Sequence, residues 1–232
     1  MTHPMPISSY VSRLAVSLLL LVAVLHAAYG QQPKNLPEPK DSIAFFRGFA
    51  VTFDLVGPAC LLLSDRGTYE GSLRINLHDQ WFPTVELGIG RANYKDDGGT
   101  DITYKTTAPF FRVGMDWNVM KKKHEVNRIY AGFRYAFTSY SCDIIREALP
   151  DPVFLGTSEY GATDVSCNMH WLEAVFGIDA QVFGPFHLGW NVRYKRRLAH
   201  HEGDIGTSWY VPGFGTNDSD CLTANFNIII DI

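Results

Sequence analysis

Apolar and polar residues alternate along most of this chain, and the alternation runs to its last residue. Leu222, Ala224, Phe226, Ile228, Ile230 and Ile232 fall on one side of an extended strand. Thr223, Asn225, Asn227 and Asp231 fall on the other, with Ile229 as the exception. A period of two marks a strand with two unlike faces. The same pattern predicts upstream strands over Gly48 to Val56, Thr68 to His78, Pro83 to Asn93, Ala108 to Val119, Arg128 to Tyr140, His170 to Val182 and Phe186 to Leu198, with Cys221 to Ile232 as the eighth. Long connections follow the first, third, fifth and seventh strands: Gly57 to Gly67, Tyr94 to Thr107, Ser141 to Met169 and Ala199 to Asp220. The other three are short. This plan, on strands long enough to cross a bilayer when tilted, predicts an all-β fold: an eight-stranded antiparallel up-and-down transmembrane β-barrel over residues 47–232.

Alternation alone does not say which face is outside. A soluble lipocalin-like barrel would turn the apolar face inward. Here that face carries Phe, Trp, Tyr, Leu and Ile on nearly every strand, too much bulk for the narrow interior of eight strands. The polar face is rich in glycine (Gly88, Gly90, Gly114, Gly132, Gly177, Gly189), which makes room for long charged side chains inside. The expected lumen network comprises Asp54, Glu70, Arg74, Glu86, Arg112, Asp116, Arg134, Glu173, Asp179, Arg193, Lys195 and Asp231. Both signs are present, as burial of charge requires.

The N-terminus changes the compartment. Arg13, the apolar run Leu14 to Leu25 and the small-x-small site Ala28-Tyr29-Gly30 read as a cleaved signal peptide over residues 1–30. Residues 31–46, with several prolines and charges, read as a flexible periplasmic leader. The chain has 232 residues and a formal charge of −4, without the basic bias of a nucleic-acid-binding domain. Localisation in an outer membrane follows as the expectation, with outer-membrane lipid (its lipopolysaccharide phosphates included) and the barrel assembly machinery as partners.

Export also makes disulfides chemically reasonable. Cys60, Cys142, Cys167 and Cys221 all fall at the long-loop end. Strand adjacency favours Cys142–Cys167 at the base of the longest loop and Cys60–Cys221 across the barrel seam. The latter closes a long loop and would be worth ~4 kcal/mol in the chain-entropy account.

Several segments, among them Phe53-Asp-Leu-Val-Gly-Pro58, Phe82-Pro-Thr-Val-Glu-Leu-Gly-Ile-Gly90, Tyr130-Ala-Gly-Phe-Arg-Tyr-Ala-Phe137, His170-Trp-Leu-Glu-Ala-Val-Phe-Gly-Ile-Asp179 and Gly184-Pro-Phe-His-Leu-Gly-Trp-Asn-Val-Arg-Tyr-Lys-Arg-Arg-Leu198, resemble an uncharacterised family of small bacterial proteins. That family carries a domain-of-unknown-function label. The resemblance implies an outer-membrane barrel and brings no catalytic residues. The strand plan is also similar to OmpA- and OmpX-like eight-stranded barrels, many of which end in an aromatic residue where this chain has Ile232.

Candidate chemistry is sparse. His170, His200, His201, Glu202, Asp204 and Ser208 are the residue types a rim enzyme acting on lipid would use, but no nucleophile motif accompanies them. Adjacent histidines on an extended chain point apart, which argues against a metal at His200-His201-Glu202. Of Lys195-Arg196-Arg197, the alternation turns the first and third inward, leaving Arg196 for a lipid phosphate. Trp81, Trp117, Phe183, Phe186 and Trp190 gather near the short turns as an interfacial girdle, and Lys121 to His124 form a solvated hairpin tip. The sequence thus predicts a non-enzymatic barrel without cofactor or metal, structural or interacting at the cell surface through its loops. A narrow channel or carrier for small hydrophobic molecules, a rim enzyme and a soluble periplasmic lipocalin-like carrier are the alternatives.

Overall fold

The structure, a computed structural model, describes residues 42–95, 102–150, 157–203 and 208–232. The segment expected as a signal peptide and most of that expected as a leader lie outside these, as does Asp204. The described elements are β1 (Phe46–Asp54), α1 (Val56–Leu63), β2 (Arg66–Leu77), β3 (Trp81–Lys95), β4 (Ile102–Asn118), β5 (Arg128–Pro150), β6 (Thr157–Phe183), β7 (Phe186–His201), β8 (Tyr210–Val211), β9 (Gly215–Thr216) and β10 (Asp220–Asp231). All eight expected strands are present. Each long strand pairs antiparallel with its chain neighbour, and β10 returns to β1, so the sheet closes into a ring.

The seam is held by backbone. Ala50 pairs with Asp231, and the register runs to Asp54 opposite Asn227. Phe49 and Ile232 exchange N–H···O bonds of 2.9 and 2.7 Å at its lower end. Above Phe226 the ladder stops because β1 turns into α1. The segment expected as the loop Gly57 to Gly67 is thus partly helical. Asp54 starts that helix: its two carboxylate oxygens accept the N–H groups of Val56 and Gly57 at 3.2 and 2.7 Å. These are free donors at any helix N-terminus, and a carboxylate there also complements the helix dipole.

The largest departure from expectation lies at β5 and β6. Residues 141–169, expected as the longest loop, continue the two strands to Pro150 and from Thr157. β4 likewise begins at Ile102 rather than Ala108. Along these extensions the alternation keeps its period but inverts its phase. In the lower ring the apolar residues face out: Phe53, Leu87, Ile89, Phe133, Phe176 and Trp190 are each at least half exposed. In the upper ring Thr107, Ser141, Ser166 and Asn168 face out, while Tyr104, Tyr140, Cys142, Cys167 and Met169 face in and are buried. The ring is therefore apolar-out below and apolar-in above, with an ordinary hydrophobic core only at its long-strand end.

Candidate functional site

The interior of the lower ring is filled by charged side chains in layers. Arg112 donates to Glu86 at 3.1 Å and forms ion pairs with Glu70 at 2.6 Å and Glu173 at 2.9 Å. Arg193 reaches Glu86 at 2.7 Å and Glu70 at 3.0 Å. Arg134 joins Glu86 to Asp116. Nearer the short turns Arg74 holds Asp179 at 2.7 Å and Arg128 holds Asp231 at 2.9 Å. Apart from Asp231 these groups are buried, and each charge has an opposite partner, the condition under which ions are tolerated away from water. Aromatic faces complete the lining. The Arg112 guanidinium lies 4.4 Å from the centre of the Phe110 ring, and Arg74 lies 5.4 Å from that of Tyr130.

Ten of the twelve expected network residues meet here. Asp54 does not, because it caps α1. Lys195 does point inward, but its ammonium donates to the carbonyls of Gly213 and Phe214 at 2.8 and 3.1 Å. Two members escaped the sequence reading: Arg128, the first residue of β5, and His187, inward between Phe186 and Leu188, whose Nε2 lies 3.4 Å from Asp231. The inward alternation on β7 was a signal that could have found His187. The inward glycines do make room, Gly132 for Asp116 and Gly177 for Tyr130.

Above the network, residues 208–219 of the segment expected as the solvated loop Ala199 to Asp220 turn back into the ring. Its short hairpin β8–β9 buries Val211 and Phe214 completely. Phe214 meets Trp171 edge-on at 5.7 Å, and Gly213 O accepts from Arg112 Nη2 at 2.8 Å. Gly213 has φ +80, and a Cβ there would enter the Phe110 ring, so the turn depends on glycine twice over. Tyr104 OH donates to Tyr210 O at 2.7 Å. The hairpin thereby plugs the mouth.

One constellation at the rim links residues singled out above. Tyr140 OH hydrogen-bonds Ser208 Oγ at 2.6 Å and His200 Nε2 at 3.1 Å. His200 Nδ1 lies 3.2 Å from Glu202, and Asn217 donates to Ser208 O at 2.8 Å. His201 and His170 stay apart. His170 faces out and hydrogen-bonds Tyr135 OH at 2.7 Å. Among the described residues no group of three or more His, Cys, Asp and Glu could hold a metal ion. Arg196 is outward and 3.4 Å from Asp220, while Arg197 donates to Asn217 at 3.1 Å.

The cysteine pairing expected from the sequence is not found; all four are free thiols. Cys142 stands opposite Val165 and Cys167 opposite Tyr140, so the two lie on a diagonal rather than facing each other. Their thiols nevertheless approach each other inside the ring as free groups. Cys60 is carried away from the seam on α1, where it is exposed, and Cys221 pairs with Lys195 on β7.

At the opposite end, the hairpin tip is exposed at Lys121, Lys122 and His124, as expected, and also touches the neighbouring turn. Lys123 donates to Gln80 at 2.9 Å, and His124 Nδ1 lies 2.8 Å from Asp79. Burial opposes ionisation of Asp79, but hydrogen bonds from His124 and Asn76 and the charges of Arg47 and Arg128 outweigh it. Its carboxyl is held below the usual range. Trp81 and Trp117 meet at 5.5 Å nearby, and Phe183, Phe186 and Trp190 are exposed on the outer face.

No curated protein and no solved structure matches the chain. A family described as a domain of unknown function, DUF6048, matches residues 11–231, nearly the whole length, and to that family the chain belongs.

Proposed function

We propose that this protein is an exported outer-membrane β-barrel with a sealed lumen, acting at the cell surface through its long-strand end as a structural or interaction protein. The observation that carries the reading is the outward apolar face of the lower ring, present on all eight long strands around an interior of paired charges. Water would penalise so much exposed apolar area, whereas a bilayer accepts it, and a soluble carrier would need the opposite arrangement. The ion-pair layers and the plugging hairpin favour a closed interior over a channel. Lipid, including its phosphates, surrounds the lower ring on this reading, and the assembly machinery delivers it there. Membrane fractionation with gel mobility of boiled and unboiled samples tests the proposal. The expected result is an outer-membrane protein whose unboiled form migrates differently from its boiled form. Recovery in the soluble periplasm, with no heat-dependent mobility, overturns it.

A second reading, a rim enzyme acting on lipid, is favoured by one observation: the chain of contacts Ser208–Tyr140–His200–Glu202. A hydroxyl, an imidazole and a carboxylate in series are the parts of a nucleophilic relay, although Tyr140 intervenes and Ser208 is buried. The same contacts serve equally to latch the plug to β5 and β7. Alanine at Ser208 or His200 that leaves the lipid profile of the cell unchanged disposes of the enzyme.

A further inference from the structure

Two cavities on the outer face of β1 to β6 adjoin each other and differ in chemistry. The lower is an apolar groove of about 620 Å³ bounded by Phe53, Tyr69, Leu87, Ile89 and Pro109. It exists because Gly71 leaves a gap in the apolar belt between Tyr69 and Leu73. The upper is a polar cleft of about 440 Å³ that includes Arg91, Lys105, Thr107, Ser141, Asp143 and Asp164. Register joins them: Ile89 stands opposite Pro109, and the next outward pair is Arg91 opposite Thr107. One outward step along a strand is ~7 Å.

The charges in the cleft are sorted. Arg91, opposite Thr107, lies one outward step above the groove on the β3–β4 side, and Lys105, opposite Asn93, lies one step further, directly across the ladder from Asp143; neither cation makes an ion pair among the described residues. Asp143 and Asp164 lie on the β5–β6 side, where Asp143 Oδ1 accepts the Asp164 N–H at 2.8 Å. In order from the belt outward and across, the surface offers a slot for an acyl chain, two cations, then two carboxylates. That is the order of parts in a phospholipid whose phosphate carries a primary amine. Guanidinium and ammonium groups hold phosphate, and carboxylates accept from an ammonium. An anionic lipid would satisfy the first pair and be repelled by the second.

We propose that this face is a binding site for one phospholipid with a zwitterionic, primary-amine headgroup. Its phosphate sits at Arg91 and Lys105, its ammonium at Asp143 and Asp164, and an acyl chain lies in the groove at Gly71. The site rests on the membrane reading above and adds a particular lipid at a particular place.

The test is native mass spectrometry of the full chain released from nanodiscs of phosphatidylethanolamine, phosphatidylglycerol or phosphatidylcholine. The wild type is expected to retain the ethanolamine lipid over the glycerol lipid by on the order of tenfold, the worth of one charge-assisted contact. Asp143→Asn with Asp164→Asn should erase that preference. These changes suit the fold, since an Asn oxygen can still accept the Asp164 N–H and Asn tolerates the φ of +58 at position 164. Arg91→Gln with Lys105→Gln should lose retention of both lipids. Gly71→Leu should fill the groove and lose retention; a Cβ there meets its neighbours at an ordinary 3.7 Å, so the fold accommodates it. Equal retention of all three lipids by wild type and variants overturns the site alone. A chain that never enters the nanodisc overturns the membrane reading, and the site with it.

Discussion

Arg134 grips Asp116 across the β4–β5 ladder with two parallel hydrogen bonds, Nη1 to Oδ1 at 2.7 Å and Nη2 to Oδ2 at 2.8 Å. Its Nε donates to Glu86 Oε1 at 3.0 Å, so one buried guanidinium ties together two carboxylates from different strands. The planar fork of Arg fits this arrangement, and the compact ammonium of Lys cannot reproduce it. Arg134→Met would remove both of its hydrogen bonds from buried Asp116 and deprive Glu86 of one partner. It is expected to cost ~3–5 kcal/mol. Chemical denaturation in detergent, followed by the shift between folded and unfolded gel mobility, measures it. Arg134→Lys should lie between wild type and Met.

The plug gives a second expectation. Phe214 is wholly buried against Trp171, so Phe214→Ala should cost ~3–5 kcal/mol if the hairpin and ring unfold together. If the hairpin unfolds alone, the ring stays folded while protease cuts within residues 208–219. Limited proteolysis of the variant separates the two, and Gly213→Ala should give the same pattern because of its positive φ.

Thiol chemistry checks the free cysteines. Cys60 is exposed, whereas Cys142 and Cys167 are each no more than 2% exposed. A bulky maleimide should label Cys60 on the folded protein and leave those two unmodified. In denaturant without reductant, intact mass should show four added groups. Fewer would mean that a disulfide exists.

The Asp79 cluster predicts a dependence on acid. Because the folded carboxyl is held below its ordinary value of 3.8, ionised Asp79 contributes stability that is fully present above that value. The contribution is lost as pH falls through the lower folded value. The stability difference between wild type and Asp79→Asn should shrink as pH falls below the ordinary carboxylate value. Denaturation midpoints measured below pH ~4 check it; a difference that grew over that range would reverse the sign.

The strand number, the order of the strands and the face each turns outward were legible in the chain by itself. In the lower ring most outward positions are apolar and most inward ones are polar or glycine, so local alternation carries the answer. Ten of the twelve network residues were legible for the same reason. Asp54 was misread because alternation reports a side of the strand and not a partner: it is inward, but a helix begins two residues later and takes its oxygens.

The upper ring was decided by tertiary structure. From Thr103 to Thr107 and from Ser141 to Asp143 the period of two persists, but the polar residues now face out. A pattern sought with one phase loses the strand where the surroundings of the ring change sign. The plug is a subtler case, since Tyr210, Val211 and Phe214 sit among Gly, Pro and Ser and follow neither helical nor strand periodicity. Their burial exists only because β3 to β7 enclose a mouth of the right width, with Arg112 and Lys195 waiting beneath it for the carbonyl of Gly213. Alternation is a local consequence of backbone geometry and can be read from neighbours in the chain. What fills a closed ring depends on residues a hundred positions apart, and only the folded chain brings them together.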